Sequence, residues 1–245
     1  MSMSNKVALV TGASRGIGAS IAKRLAKDGF AVVVNYAGRE DAAKEVVNHI
    51  TQSGGIALPY QADVSDAVLV QAMFDHVEST LGKVDVLVNN AGVMELKPLA
   101  KADIQHVDKQ IDINLKGTIN TMREASTRLN KGGRVINFSS SVVGLKLENY
   151  GVYAATKAAV ETLTAIMAKE MRGKNITVNA VAPGPTATEL FLKGKPEELV
   201  ERMAKMSPLE RIGTPDDIAS VVSFLANPDS GWVNGQVLRA NGGVI

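Results

Sequence analysis

Hydrophobic residues fall along the chain in short, nearly unbroken runs. They are KVALVTG (6–12), AVVVNY (31–36), IALPYQA (56–62), VDVLVNNAG (84–92), RVINFSS (134–140), ITVNAVAPG (176–184) and GQVLRA (235–240). Val and Ile dominate these runs, and polar residues seldom alternate with them. This predicts strands covered on both faces rather than strands with one wet side. Between the runs, apolar residues recur at helical spacing. In GASIAKRLAKDG (18–29), Ile21, Ala22, Leu25 and Ala26 share one stripe and Gly29 supplies a stop. Strand and helix alternate throughout, which predicts an α/β fold: one doubly wound parallel sheet of about seven strands with helices on both faces. No linker, repeat or low-complexity tract interrupts the rhythm, so residues 1–245 are expected to form a single domain. The least regular segment is 185–214. It is too long for a simple connection and carries its own helical pattern, so it is expected to be a lid over the site.

Composition narrows the possibilities. At 245 residues, 45% hydrophobic and 21% charged, the chain can bury a core without covalent staples. It has no cysteine, which excludes disulfides, thiolate nucleophiles and sulfur metal ligands together. The first residues lack the apolar run of a signal peptide, and no segment approaches the ~18 apolar residues of a membrane span. The formal charge is only +2 and no basic run stands out. A cytoplasmic protein with no membrane and no nucleic-acid partner is therefore expected. His49, His76 and His106 lack a second ligand at metal spacing. No metal site is expected, and each should lie on a solvated helix face.

Two stretches carry chemistry. In KVALVTGASRGIGASIA, a strand leads through Gly12, Gly16 and Gly18 into a helix. Bare backbone lets a diphosphate approach, and the free N–H groups of a helix N-terminus favour its charge. The plain alternative is a tight turn with no ligand; the position between first strand and helix favours a dinucleotide and a Rossmann-type sheet. In VYAATK, Tyr153 and Lys157 stand four apart, hence on one helix face. A free phenol has a pKa of about 10. A neighbouring ammonium favours phenolate, so the pair is expected to bring Tyr153 towards the working pH. The plain alternative is a pair on a solvated face.

Five motifs in order resemble the classical short-chain dehydrogenases/reductases: Thr11-Gly12-Ala13-Ser14-Arg15-Gly16-Ile17-Gly18, Asp63-Val64, Asn89-Asn90-Ala91-Gly92, Tyr153-x3-Lys157 and Pro183-Gly184. The chain is similar over its whole length, most of all to the 3-oxoacyl-(acyl carrier protein) reductases. The resemblance implies hydride transfer between a nicotinamide and a carbonyl or secondary alcohol. It implies a catalytic set of Asn114, Ser140, Tyr153 and Lys157, with Lys157 also holding the nicotinamide ribose and Asn114 bending its helix and holding a water. The family serine lies thirteen before the tyrosine, at Ser140, although Val142-Val143-Gly144 points to Ser141. A one-residue slip would turn the side chain to the opposite face, which favours Ser140. Cofactor contacts are implied at Gly12, Ser14, Arg15, Gly16, Ile17, Gly18, Asn35, Tyr36, Arg39, Asp63, Val64, Asn90, Ala91, Gly92, Tyr153, Lys157, Pro183, Gly184, Thr186 and Thr188.

The second strand ends Asn35-Tyr36-Ala37, without the carboxylate that would bond a ribose 2′-hydroxyl. Arg15 and Arg39 suit a 2′-phosphate, so NADP(H) is expected, with Arg15 the main contact. Met94, Leu96, Leu145, Leu147, Tyr150, Leu190, Phe191 and Leu192 are expected to form a partly apolar pocket. An acyl carrier protein would dock on basic residues such as Arg128, Lys131, Arg172 and Lys174, whereas a small ketone would need none. The rivals are an NAD-dependent alcohol or hydroxysteroid dehydrogenase and a non-catalytic dinucleotide sensor. Assembly as a homotetramer, or a homodimer, is implied by the resemblance alone.

Overall fold

The computed structural model describes residues 5–245; residues 1–4, the start of the expected domain, lie outside the described residues. The strands are β1 (Val7–Val10), β2 (Ala31–Tyr36), β3 (Ile56–Gln61), β4 (Val84–Asn89), β5 (Arg134–Phe138), β6 (Thr177–Pro183) and β7 (Val237–Ala240). They form one seven-stranded sheet in the order β3-β2-β1-β4-β5-β6-β7, and every pairing is parallel. The crossovers are α1 (Gly16–Lys27), α2 (Glu40–Gln52), α3 (Ala67–Thr80), α4 (Ile104–Gln110), α5 (Gly117–Arg128), α6 (Val142–Leu145), α7 (Gly151–Glu170), α8 (Glu189–Leu192), α9 (Glu197–Lys205) and α10 (Pro215–Ala226). This is the doubly wound, Rossmann-like arrangement that the runs predict.

Successive side chains of a strand point to opposite faces, so the continuous apolar runs feed two cores. Ala8, Val10, Val32, Val34, Val88 and Ile136 pack with Ile21 and Leu25 of α1, Ile50 of α2 and Val222 and Leu225 of α10. Val7, Leu9, Val33, Leu87, Val135 and Val178 pack with Met73 and Phe74 of α3, Met122 of α5 and Met167 of α7. Each fully buried Leu or Ile contributes about 1.5–3 kcal/mol. Burial on both faces holds for the five inner strands. It fails at the edges: β3 leaves Ile56 46% exposed, and β7 is only half-buried. An edge strand has one neighbour, and the helices do not reach over its outer side. Edge position also lets Pro59 stand within β3.

Helix α1 begins at Gly16, two residues before the expected start, and stops where Gly29 takes a left-handed φ of 95°. Between α4 and α5, residues Ile111–Lys116 form a π-helical turn. The segment 185–214 leaves and rejoins the body at one point. Thr186 pairs with Gly213, with Ala187 N–H donating to the Gly213 carbonyl and Gly213 N–H to that of Pro185, both at 2.8 Å. The segment between carries α8 and α9. Thr214 and Asp217 then cap α10 reciprocally. No helix among the described residues is long and apolar enough to cross a membrane.

Candidate active site

Two adjoining cavities open at the carboxyl ends of the strands, where open parallel sheets bind ligands. The first is a cleft of about 270 Å³ lined by Gly12, Ser14, Arg15, Gly16, Ile17, Gly18, Asn35, Tyr36, Arg39, Asp63, Val64, Asn90, Ala91 and Gly92. The second, about 150 Å³, is lined by Ser140, Tyr153, Lys157, Pro183, Gly184 and Thr186. Asn90, Gly92, Val93, Thr188 and Leu190 line both. The positions implied for cofactor contact are therefore distributed over two linked chambers.

The floor of the cleft requires glycine. At Gly12 φ is +61°, and a Cβ there would lie 2.8 Å from Ala91 Cα; a Cβ on Gly18 would lie 2.4 Å from the Gly12 carbonyl. Asn90 Nδ2 donates to the Thr11 and Gly12 carbonyls, both at 3.0 Å, and the Thr11 hydroxyl accepts from the Asn90 and Ala91 N–H groups. Asn35 is buried and braces the turn: it accepts from Gly12 N–H and donates to the Tyr60 and Ala62 carbonyls. Its role is to shape the cleft. Asp63 accepts from the Ser65 N–H and hydroxyl, closing a local turn at the cleft wall. No side chain caps α1, so its first N–H groups face the cleft without a side-chain partner. A glycine floor, an uncapped helix N-terminus and two guanidiniums at one end fit a phosphorylated dinucleotide.

At the other end, Lys157 is buried and donates from Nζ to the Phe138 carbonyl at 2.9 Å. That single bond leaves two of its ammonium N–H groups for a ligand, which suits ribose hydroxyls. Nζ lies 5.8 Å from the Tyr153 ring centroid. The two groups thus share one helix face as their spacing requires. The expected pKa does not follow. Tyr153 keeps part of its surface open to the pocket, yet burial pushes its phenol up to about 12, against a lowering by the Ser140 hydroxyl. Burial also pushes Lys157 down to about 8. The reason is desolvation, the largest cause at Tyr153 and the sole one at Lys157, which disfavours both charged forms.

The three serines divide the work. Ser139 donates to Glu161 at 2.6 Å, away from the tyrosine. Ser141 is buried, donating to the Ala182 carbonyl at 3.3 Å and accepting from Asn241 at 3.0 Å. Ser140 is the one whose hydroxyl acts on Tyr153. Asn114 sits in the π-helical turn and is fully buried; it accepts from Val93 N–H at 2.8 Å and donates to the Val93 carbonyl at 2.9 Å. It anchors Val93, which walls both chambers. Thr188 caps α8 by accepting from Phe191 N–H, and Thr186 donates to the Gly184 carbonyl.

Of the expected pocket residues, Met94, Leu145, Leu147, Tyr150, Leu190 and Phe191 line the second chamber, joined by Met203. Leu96 and Leu192 stay outside it, 37% and 40% exposed. His106 is buried beside Gln110, not solvated as expected, because this face of α4 packs against the stretch after β4, where Gln110 accepts from Glu95 N–H. Arg128 is not a free docking cation: Asp75, Glu78 and Glu124 hold it in a three-carboxylate cage. Two participants were missed by the sequence reading. One is the Phe138 carbonyl beneath Lys157. The other is Glu189, whose carboxylate bridges Arg15 at 2.7 Å and Arg39 at 3.1 Å; only its place directly after Thr188 hints at it.

Residues 12–245 match a family model described as enoyl-(acyl carrier protein) reductase. The chain is 42% identical to the NADPH-dependent aldehyde reductase-like protein, chloroplastic, of Arabidopsis thaliana, over 99% of this chain and 95% of that one. It is 43% identical to a 3-oxoacyl-[acyl-carrier-protein] reductase of Staphylococcus aureus, over 98% of both. A short-chain dehydrogenase from Burkholderia cenocepacia in complex with NADP superposes with a TM-score of 0.92 at 34% identity, over 98% of this chain and 97% of that one. The protein belongs to the short-chain dehydrogenase/reductase family of oxidoreductases, and within it is similar to the 3-oxoacyl-(acyl carrier protein) reductases.

Proposed function

We propose that the protein is an NADP(H)-dependent carbonyl reductase that acts on aldehydes and ketones bearing an apolar substituent. The observation that carries this reading is the placement of Ser140, Tyr153 and Lys157 in a small, largely apolar chamber that opens into a dinucleotide cleft. A nicotinamide held in the cleft would supply the hydride, with its electron pair, for the carbonyl carbon. The chain's residues manage the oxygen. Ser140 Oγ and Tyr153 Oη donate hydrogen bonds to it, and Tyr153 delivers the proton that completes the alcohol.

The direction of the pKa shifts suits this division. A phenol pushed up to about 12 is protonated at neutral pH and ready to give its proton. Lys157, at about 8, keeps its charge at pH 7 and stabilises the anion left behind, in surroundings where a nearby charge acts strongly. Asn114 keeps Val93 in place as the shared wall. Thr186, Thr188 and the Pro183-Gly184 turn support the carboxamide end.

NADP(H) is supported by Arg15 and Arg39 at the far end of the cleft and by the absence of a carboxylate on β2 there. The NADPH-dependent relative and the NADP complex agree with it. A small aldehyde or ketone is favoured over a carrier-bound thioester by the chamber's size and by the caging of Arg128. A homotetramer is supported by exposed apolar residues on α5 and α7 (Ile119, Ile166) and near β7 (Phe224, Trp232); light scattering on the purified protein tests it. In the cell, a cytoplasmic location fits the reading.

The test is NADPH and NADH oxidation at 340 nm with a panel of aldehydes, diketones, β-keto esters and a 3-oxoacyl thioester. Turnover of small carbonyls with NADPH preferred is expected. Preference for NADH would refute the cofactor assignment, and turnover of the thioester alone would refute the substrate class.

A further inference from the structure

The arginines assigned to the cofactor's 2′-phosphate already hold an anion. Arg15 Nη1 meets Glu189 Oε2 at 2.7 Å, while Arg39 Nη1 and Nη2 meet Oε2 and Oε1, both at 3.1 Å. Both arginines line the dinucleotide cleft, and so does Glu189. The arrangement is a fork holding a carboxylate, the geometry guanidinium also offers to phosphate. The same N–H groups cannot serve a carboxylate and a phosphate fully at once, and two anions at one fork repel.

Glu189 is also the first residue of α8, next to Thr188, and Leu190 follows it. Thr188 and Leu190 line both chambers, and Phe191 lines the substrate chamber. The carboxylate therefore ties the first turn of the lid to the adenosine end of the cleft, opposite the chemistry.

We propose that Glu189 is a specificity-determining residue, an internal stand-in for the 2′-phosphate that competes with it for Arg15 and Arg39 and that the phosphate displaces, releasing α8. This rests on the NADP(H) reading given above. It makes two consequences separable. Glu189 lowers affinity for a 2′-phosphorylated nucleotide without touching affinity for one that lacks the group. Occupation by the phosphate loosens the lid, whereas the unphosphorylated nucleotide leaves the lid tethered.

The probes are 2′,5′-ADP and 5′-AMP, titrated by calorimetry into wild type, Glu189→Gln and Glu189→Ala. Both substitutions should tighten 2′,5′-ADP roughly 3- to 10-fold, the scale of two exposed ion pairs, and leave 5′-AMP within about twofold. Hydrogen exchange of residues 188–205 in the wild type should rise with 2′,5′-ADP and stay level with 5′-AMP. If wild type prefers 2′,5′-ADP and the substitutions leave its affinity unchanged or weaker, the competition is wrong and the cofactor reading stands. If wild type shows no preference but the variants do, Glu189 wins the contest: the competition stands and the cofactor reading fails. If no protein distinguishes the two nucleotides, both fall. Unchanged exchange under 2′,5′-ADP would remove the release of the lid.

Discussion

The two ends of the cleft handle charge in opposite ways. At the Tyr153–Lys157 end, Lys157 is buried with one protein partner and burial bears on Tyr153, so both charged forms are disfavoured. At the other end, Arg15, Arg39 and Glu189 are about half exposed and paired with one another. Water screens the second cluster, so each of its contacts is worth little and is easily exchanged. Burial limits that screening at the first, so a charge there acts more strongly. On the proposed reading, reactivity belongs to the buried end and selection between nucleotides to the exposed one.

The contrast predicts a descending series of effects. Tyr153→Phe should lower kcat for carbonyl reduction by about 10²- to 10⁴-fold while NADPH affinity, measured by fluorescence titration, stays within about twofold. Retained turnover would break the catalytic half of the comparison. Ser140→Ala should lower kcat by about 10²-fold. Ser141→Ala should leave kcat nearly intact and instead lower stability by roughly 1 kcal/mol in urea unfolding, because its bonds to Ala182 and Asn241 are structural. The reverse result would exchange the two serines.

The pH dependence sharpens the picture further. With Lys157 at about 8, kcat/KM for reduction should be flat near pH 7 and fall about tenfold per unit above pH 8. Stability should not fall with it. The folded pKa of Lys157 lies below its ordinary 10.5, so the unfolded chain binds more protons between those values and this group favours folding increasingly as pH rises from 8 to 10.5. Tyr153 acts oppositely, its folded pKa lying above 10.0, and its contribution is lost only as pH rises from 10 to 12. Activity lost between pH 8 and 10 should therefore return on readjustment, with no unfolding by circular dichroism. The smallest effect belongs to the solvated end: Arg39→Ala should weaken NADPH by about 2- to 10-fold and leave NADH unchanged.

Much of this was legible in the residues. The Val- and Ile-rich runs announced a parallel sheet because both faces of its inner strands need apolar cover, and Gly12 and Gly18 announced the cleft because a Cβ at either would strike backbone. Tyr153 and Lys157 were legible because helical geometry fixes which residues share a face. The phenol's pKa was not, since burial depends on what the 185–214 segment and the loop before α7 pack around it, and no local spacing encodes that. His106 misled for the same reason: nothing near it in sequence shows that its helix turns inward. Glu189 was invisible because its partners lie 174 and 150 residues away.

The pairing of Thr186 with Gly213 has a consequence for how such a molecule diversifies. Both stems of the flap are stitched together at the rim, so whatever sequence runs between them inherits a closed neck. Doubling the length of such a loop costs only about 0.6 kcal/mol of chain entropy. Insertions, deletions and wholesale exchange of the intervening stretch can redraw the chamber walled by Leu190, Phe191 and Met203 while Ser140, Tyr153 and Lys157 keep their places.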